Sequence, residues 1–396
     1  MLPLEGITVV SLEQAVAAPF ATRQLADLGA RVIKVERPGP GDFARGYDKT
    51  VKGMSSHFVW INRSKESLAL DLKQEEAKKV LEELLGKADV FIHNLAPGAV
   101  DRLGFSAAEL KEKYPQLIIC SISGYGTFGP YTNKKAYDLL IQCEAGLVSV
   151  TGTEETPSKA GISIADIAAG MYTYTGVLTA LIARSKTGKG AVIEVSMLEA
   201  LAEWMGYPLY YSAYGEEEPK RTGASHATIY PYGPFMAGDQ KFVFMGIQNE
   251  REWVRFCEEV LKNTDIATDG RFNNNSNRVA NKEALKSIIE DVFQQQEANQ
   301  IIELLEEAKI ANARLNTMKE LEDHPQLKAR NRWSEVDSPA GPLKALLPPV
   351  TSDEFDSVMK PIPEVGEHTE AILKEFGFNP GKMQQFTTID GAGKTT

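Results

Sequence analysis

The sequence predicts an α/β protein with a Rossmann-like parallel-sheet large domain and a smaller α+β domain. Three observations lead there. Short β-branched runs alternate with amphipathic segments through the first third of the chain, the pattern of βαβ units with helices on both faces of a parallel sheet. The texture changes near Glu216, where GEEEPKRTG gathers charge, proline and glycine as linkers do. At 396 residues the chain also exceeds one ordinary core, given about 100–200 residues per domain.

Taken in order, ITVVS (7–11) reads as a buried strand, PFATRQLADLG as a helix ending at Gly29, and RVIKVE (31–36) as a second strand. After a charged crossover, QEEAKKVLEELLGKA carries Leu and Val at helical spacing and leads into the strand VFIH (90–93); LIICSIS (117–123) is another strand. From Ile167 to Ala183 the chain has no charged side chain, yet Gly170, Tyr172, Thr173, Tyr174, Thr175, Gly176 and Thr179 make it a buried helix rather than a membrane span. The turn KTGKG then precedes a strand, AVIEVSM. YPYGPFMAGDQKFVFMGI reads as a β-hairpin with GDQ at its turn, followed by helices in NEREWVRFCEEVL, NKEALKSIIEDVFQQQ and QIIELLEEAKI. The expected division is a large Rossmann-like domain over 1–215, a small α+β one over 225–325, and a segment from 330 to 396 returning to the first.

Composition narrows the function classes. Apolar residues at 43% and charged residues at 24% are globular proportions, and a net charge of -11 without a Lys/Arg cluster argues against nucleic acid. Cys120, Cys143 and Cys257 form no Cys-x-x-Cys pair, which fits reduced thiols. MLPLEGITVVSLE has no secretory pattern, so a cytoplasmic setting is expected. His57, His93, His226, His324 and His368 lack metal-ligand spacing, and no metal is expected.

Nucleotide motifs are weak. Glu36 stands where a ribose-binding acid would, but the turn LEQAVAAP lacks G-x-G-x-x-G. The C-terminal GAGKTT has Thr388 where a phosphate loop needs its first glycine. Asp166, heading the uncharged run, reads first as a helix N-cap, a setting that would also keep a carboxylate ionised for attack. In KKAYDLLIQCEAGL, Asp138 reads as a second N-cap, after the glycine-rich loop SGYGTFGP. Arg37, Lys65, Lys73 and Arg102 read singly as solvated loop charges, although several fall near the C-terminal ends of predicted strands, where open α/β sheets bind ligands. Arg45 and Arg221, with His226 nearby in sequence, are candidates for the distal carboxylate of an acid substrate.

The blocks LEGITVVSLEQAVAAPFATRQLADLGARVIKVERPGPGD, NRSKESLALDLK, NLAPGAVDRLGF, SGYGTFGPY, AYDLLIQ, ADIAAGMY, KTGKGAVIEVSMLEA, RTGASHATIYPYG and PEVGEHTEAIL run through nearly the whole chain. In these the sequence resembles the class III CoA-transferases, the family of formyl-CoA and carnitine CoA-transferases, which also contains α-methylacyl-CoA racemase. The resemblance implies an interlocked homodimer and acyl-CoA:carboxylate CoA transfer, with Asp166 as the nucleophile passing through aspartyl anhydride and aspartyl-CoA thioester. It implies coenzyme A, as co-substrate, held by Val16 and Ala17, Arg37, Leu70, Asp71, Leu72 and Lys73, Asn94, Leu95 and Ala96, Arg102, and Lys135, Ala136, Tyr137 and Asp138. Where formyl-CoA transferase has a glutamine, Val16 stands here; the glycine-rich cover loop is reduced to MGIQNE, leaving Gly246 and Gln248 to cover the substrate. The overall texture suggests a small dicarboxylate acceptor and succinyl-CoA as donor. The racemase branch needs a histidine where Tyr137 stands, and phenol is a poor proton relay at neutral pH. A catalytically silent CoA-ester-binding protein is the remaining alternative.

Overall fold

The computed structural model describes residues 2–387; the GAGKTT motif and Thr388 lie outside them. The chain divides into two compact units, the larger built from 1–146, 160–206 and the segment from Leu327 onward.

Its centre is a parallel sheet of β1 (Thr8–Leu12), β2 (Arg31–Glu36), β3 (Lys65–Ala69), β4 (Val90–His93), β5 (Ile118–Ser123) and β6 (Val192–Ser196), in the order β3-β2-β1-β4-β5-β6. That order reverses direction between β1 and β4, so the crevice beyond their C-terminal ends is where such a sheet accepts a ligand. β3 was not legible as a strand, because KESLA looks like charged linker. Its charges are absorbed instead: Lys65 is fully buried, and Glu66 receives the Arg31 guanidinium from the neighbouring strand.

Helix α1 (Ala17–Asp27) follows β1, α2 (Glu75–Lys87) follows β3, and α3 (Asp138–Glu144) and α4 (Ile164–Thr187) lie between β5 and β6. α4 contains the uncharged run of the sequence and is ended by Gly188 in the left-handed conformation. Its Ala168, Ala169 and Gly170 are buried. A Cβ on Gly170 would stand 2.8 Å from the Ala17 carbonyl oxygen and 3.0 Å from the Phe20 ring, so only glycine admits this approach of α4 to α1. Ala168 to Gly170 are therefore packed in the core against α1. Among the described residues no helix is long and apolar enough to cross a membrane.

The smaller unit comprises 147–159 and 207–326. It begins earlier than the linker composition suggests and takes in a short excursion, 147–159, that no composition change marks. The expected hairpin is present: β7 (Tyr232–Met236) and β8 (Phe242–Gly246) pair antiparallel, and β9 (Ala311–Arg314) joins β8. Helices α5 (Lys282–Phe293) and α6 (Ala298–Glu307) supply Leu285, Ile289, Phe293, Ile301 and Leu305 to its apolar core.

The C-terminal segment returns to the larger unit. β10 (Trp333–Val336) and β11 (Leu343–Leu346) form a hairpin, and Ile372, Leu373, Met383 and Phe386 join the core around β1, β2 and β4. Arg31 grips Glu375, and the Ser67 amide donates to His368 Nδ1.

Candidate active site

Asp166 is the third residue of α4, one turn inside a helix whose N-cap, Ser163, makes no side-chain capping bond. The cap comes from another helix. Asp138 Oδ1 accepts the amide of Ala165 at 2.8 Å and that of Asp166 at 3.4 Å, while its Oδ2 accepts Gln142 Nε2 at 2.7 Å. Gln142 Oε1 in turn accepts the Ala160 amide at 2.9 Å, so α3 and the approach to α4 are clamped together. Both capping expectations are thereby corrected: Asp166 caps nothing, and Asp138, with Tyr137 at the N-cap of α3, caps α4 instead of its own helix. A cap given across space leaves no trace at neighbouring sequence positions. The Asp166 carboxylate itself accepts no hydrogen bond and forms no ion pair among the described residues.

Its electrostatics also depart from expectation. Burial first, then the charge of Asp138, push the Asp166 carboxyl up to about 7. The favourable field of the helix terminus, about 0.3–1 kcal/mol, is too weak to offset that burial. Tyr47, at the end of the short Phe43–Gly46 turn, feels the charges of Asp42 and Asp166, and burial raises its phenol to about 12. Tyr47 and Gln142 were missed by sequence reasoning, and neither carries a motif that would have found them.

The expected CoA segments gather at one edge. The turns after β1, β2, β3 and β4 carry Val16 and Ala17, Arg37, Leu70 to Lys73, and Asn94 to Ala96. The β1 turn is held by Asn94 and by Asp42, whose Oδ1 accepts the Ala15 amide at 3.1 Å while Ala15 sits at φ +61°. Beneath it lies a buried charge cluster. Lys34 Nζ meets Asp42 at 2.6 Å, and Lys65 Nζ meets Glu13 at 2.7 Å, with Asn62 Oδ1 between the two ammonium groups at 3.1 Å from each. Lys65, expected as a loop charge, is thus a core residue; burial lowers its ammonium to about 7 against the pull of Glu13. A lysine inside RVIKVE was the available signal, since a buried ammonium needs partners.

Arg37, Lys73 and Lys135 are exposed and form no ion pair among the described residues, and Arg102 makes only a 3.4 Å contact to the Pro97 carbonyl. The Val16, Ala17 and Leu70 side chains are buried, so those positions offer chiefly backbone. Leu72 and Leu95 pack against the sheet core, and the Asp71 amide is taken by the Phe386 carbonyl. Ala96 is exposed, and Ala136 half-buried beside the 68% exposed Tyr137.

The residues expected to hold a distal carboxylate are otherwise engaged. Arg45 forks onto Glu36 at 2.9 and 2.8 Å, reaches the Pro363 carbonyl and lies over the Phe58 ring. Arg221 donates to the carbonyls of Thr153, Ser149 and Glu154, tying the 147–159 excursion into the smaller unit. His226 stacks on Tyr232 at 5.1 Å, and its Nδ1 accepts the amides of Thr228 and Ile229. Gly246 ends β8, buried, and Gln248 is exposed; both belong to the smaller unit, as do Arg221 and His226, whereas Asp166 belongs to the larger.

Comparison with known proteins follows this geometry. The model of the family described as CoA-transferase family III matches residues 4–369. The acetyl-CoA:oxalate CoA-transferase of Acetobacter aceti is 36% identical over 94% of this chain and 96% of its own length. The succinyl-CoA:glutarate CoA-transferase of Homo sapiens is 33% identical over 94% of this chain and 86% of its own. Among solved structures, a CAIB/BAIF family protein from Brucella suis is 32% identical and superposes with a TM-score of 0.84, covering 95% of this chain and 99% of that one.

Proposed function

The chain belongs to CoA-transferase family III and is a CoA-transferring enzyme, and from that premise we propose that it moves CoA from an acyl-CoA donor, succinyl-CoA among them, to a small dicarboxylic acid through Asp166. The observation that carries this is the Asp166 carboxylate, half-buried yet free of hydrogen bonds among the described residues, because Asp138 does the capping. The similar proteins from Acetobacter aceti and Homo sapiens are named for oxalate and glutarate, which are both dicarboxylates.

In the ionised form, an Asp166 oxygen attacks the thioester carbonyl, the C–S bond breaks, and CoA leaves as thiolate with an acyl-aspartyl anhydride behind it. The thiolate attacks the aspartyl carbonyl and expels the first acid as carboxylate. The acceptor carboxylate then attacks the aspartyl-CoA thioester, releasing thiolate; the thiolate attacks the acceptor carbonyl of the new anhydride and restores Asp166. Every step exchanges one acyl bond for another, so thioester energy is conserved while water is kept out. Exposed Arg37, Lys73, Arg102 and Lys135 suit the CoA phosphates. Val16, Ala17 and Asn94 follow β1 and β4, where the sheet order reverses, and their backbone suits contact with the CoA arm there.

The assembly belongs to the same proposal. Helix Gly206–Tyr214 leaves Tyr207 57%, Leu209 62%, Tyr210 67% and Tyr214 84% exposed, an apolar band that an interlocked homodimer would cover. Light scattering during gel filtration should give twice the 43.5 kDa chain mass. For the chemistry, succinyl-CoA with oxalate or glutarate should give the exchanged thioester and a hydroxylamine-sensitive adduct on Asp166. Full turnover by Asp166→Asn would remove Asp166 from this role.

A further inference from the structure

We infer that Asp138 is a positioning residue for the transfer: by capping α4 from α3 it fixes where the Asp166 backbone enters the site and leaves the Asp166 carboxylate as the unbonded acid. The inference rests on the proposed nucleophilic role of Asp166 and deepens it. Four hydrogen bonds carry it. One Asp138 oxygen takes the two amides on which Asp166 is mounted, at 2.8 and 3.4 Å. The other takes Gln142 Nε2 at 2.7 Å, and the far end of that amide takes Ala160 N at 2.9 Å. The carboxylate is thus fixed from both sides, as a residue held for another residue's geometry should be.

The arrangement sets two carboxyl groups of like charge at one helix start and gives only one of them donors. Donors favour the charged form of the group they bond, and a fixed negative neighbour opposes the second ionisation. Asp166, the acid without donors, is the group whose carboxyl is raised, first by burial and then by the neighbouring Asp138. The other titratable group that feels Asp166 is Tyr47, which also feels Asp42 and Tyr137; burial raises the Tyr47 phenol to about 12. No cation is paired with Asp166 among the described residues to offset the repulsion. The role differs from CoA contact, which was the expectation for this residue: an acid whose oxygens are filled by two amides and a carboxamide has little left to offer a ligand.

The test is the pH profile of kcat/KM for CoA exchange in Asp138→Asn, Asp138→Ala and Gln142→Ala, with the Asp166 adduct followed by intact mass after hydroxylamine. Asp138→Asn keeps an oxygen for the Ala165 amide but loses the charge. Its alkaline-rising limb should move to lower pH by about half a unit to one unit, with adduct still formed. Asp138→Ala should lower kcat at least about tenfold while changing KM for the acyl-CoA by less than about threefold, because positioning rather than CoA binding is lost. Gln142→Ala should reproduce part of that kcat loss without moving the limb. An unmoved limb in a folded Asp138→Asn enzyme, or a loss confined to KM, overturns the inference while the nucleophile stands. Absence of any adduct on wild-type Asp166 would instead overturn the reading beneath it.

Discussion

Gln14 and Asn94 hold each other across the ends of β1 and β4: the Gln14 amide donates to Asn94 Oδ1 at 2.8 Å, and Asn94 Nδ2 donates to the Gln14 carbonyl at 2.8 Å. These two strands flank the reversal of sheet order, so the clasp fixes the turn that faces the crevice. Asn94→Ala removes both bonds, about 1–3 kcal/mol of turn stabilisation. KM for the acyl-CoA should rise about five- to a hundredfold, with kcat changed less. Initial-rate kinetics check this, and an unchanged KM would show that the turn does not hold CoA.

Below that turn, Glu13 accepts Lys65 at 2.7 Å and Thr22 Oγ1 at 2.6 Å, with every member buried. Removing one partner of a buried pair strands the other charge, at about 3–5 kcal/mol. Lys65→Met should therefore destabilise strongly, and Glu13→Gln with Lys65→Met together should recover much of the loss. Urea unfolding of the single and double variants measures the coupling; strict additivity would mean that Lys34, 3.4 Å from the same oxygen, already satisfies Glu13.

The same cluster shows what a linear reading can reach. β1, β2, β4, β5 and the β7–β8 hairpin were legible because their side chains follow the period and composition of strands or bracket a turn. β3 was not, since Lys65 and Glu66 look solvated until Glu13 and Arg31 are brought beside them by the sheet register. Asp166 was visible as a lone acid before an uncharged run, yet its local role was misread. The capping acceptor is not within its own turn but on Asp138, 28 residues earlier. The partners of Arg45 and Arg221 were hidden for the mirror reason: a guanidinium in a loop looks free until its acceptors, Glu36 and three carbonyls, are placed around it.

Arg45 is expected to act on stability rather than on choice of acid. Burial alone would raise the Glu36 carboxyl, but the Arg45 bonds, with Lys34 and Ser67, bring it down to about 2. A carboxyl lowered from an unfolded value near 4.3 contributes stability that is present above pH 4.3 and lost as pH falls through 2. In Arg45→Ala this contribution should shrink, so that melting temperatures of variant and parent diverge at pH 7 and converge toward pH 2. The ratio of rates with oxalate and glutarate should stay within about twofold of the parent; a selective loss with one acid would return Arg45 to the substrate.

Asp166 predicts the opposite slope. Its carboxyl lies at about 7 in the folded chain, above the unfolded value near 3.9, so the folded state holds the extra proton between those limits. Stability from this group is full below about pH 3.9, declines as pH rises, and is lost above about 7. The ionised acid that transfer requires is thus the form the fold tolerates least, by about 2–4 kcal/mol at alkaline pH. Asp166→Asn imitates the protonated acid without being able to ionise. It should abolish transfer and yet melt higher than the parent at pH 8, with the gap closing toward pH 4, instead of showing the small loss that removal of a helix cap would cause. Thermal melts of parent and variant across that range decide between the two: a variant less stable than the parent at pH 8 would mean that Asp166 is held as a stable anion after all.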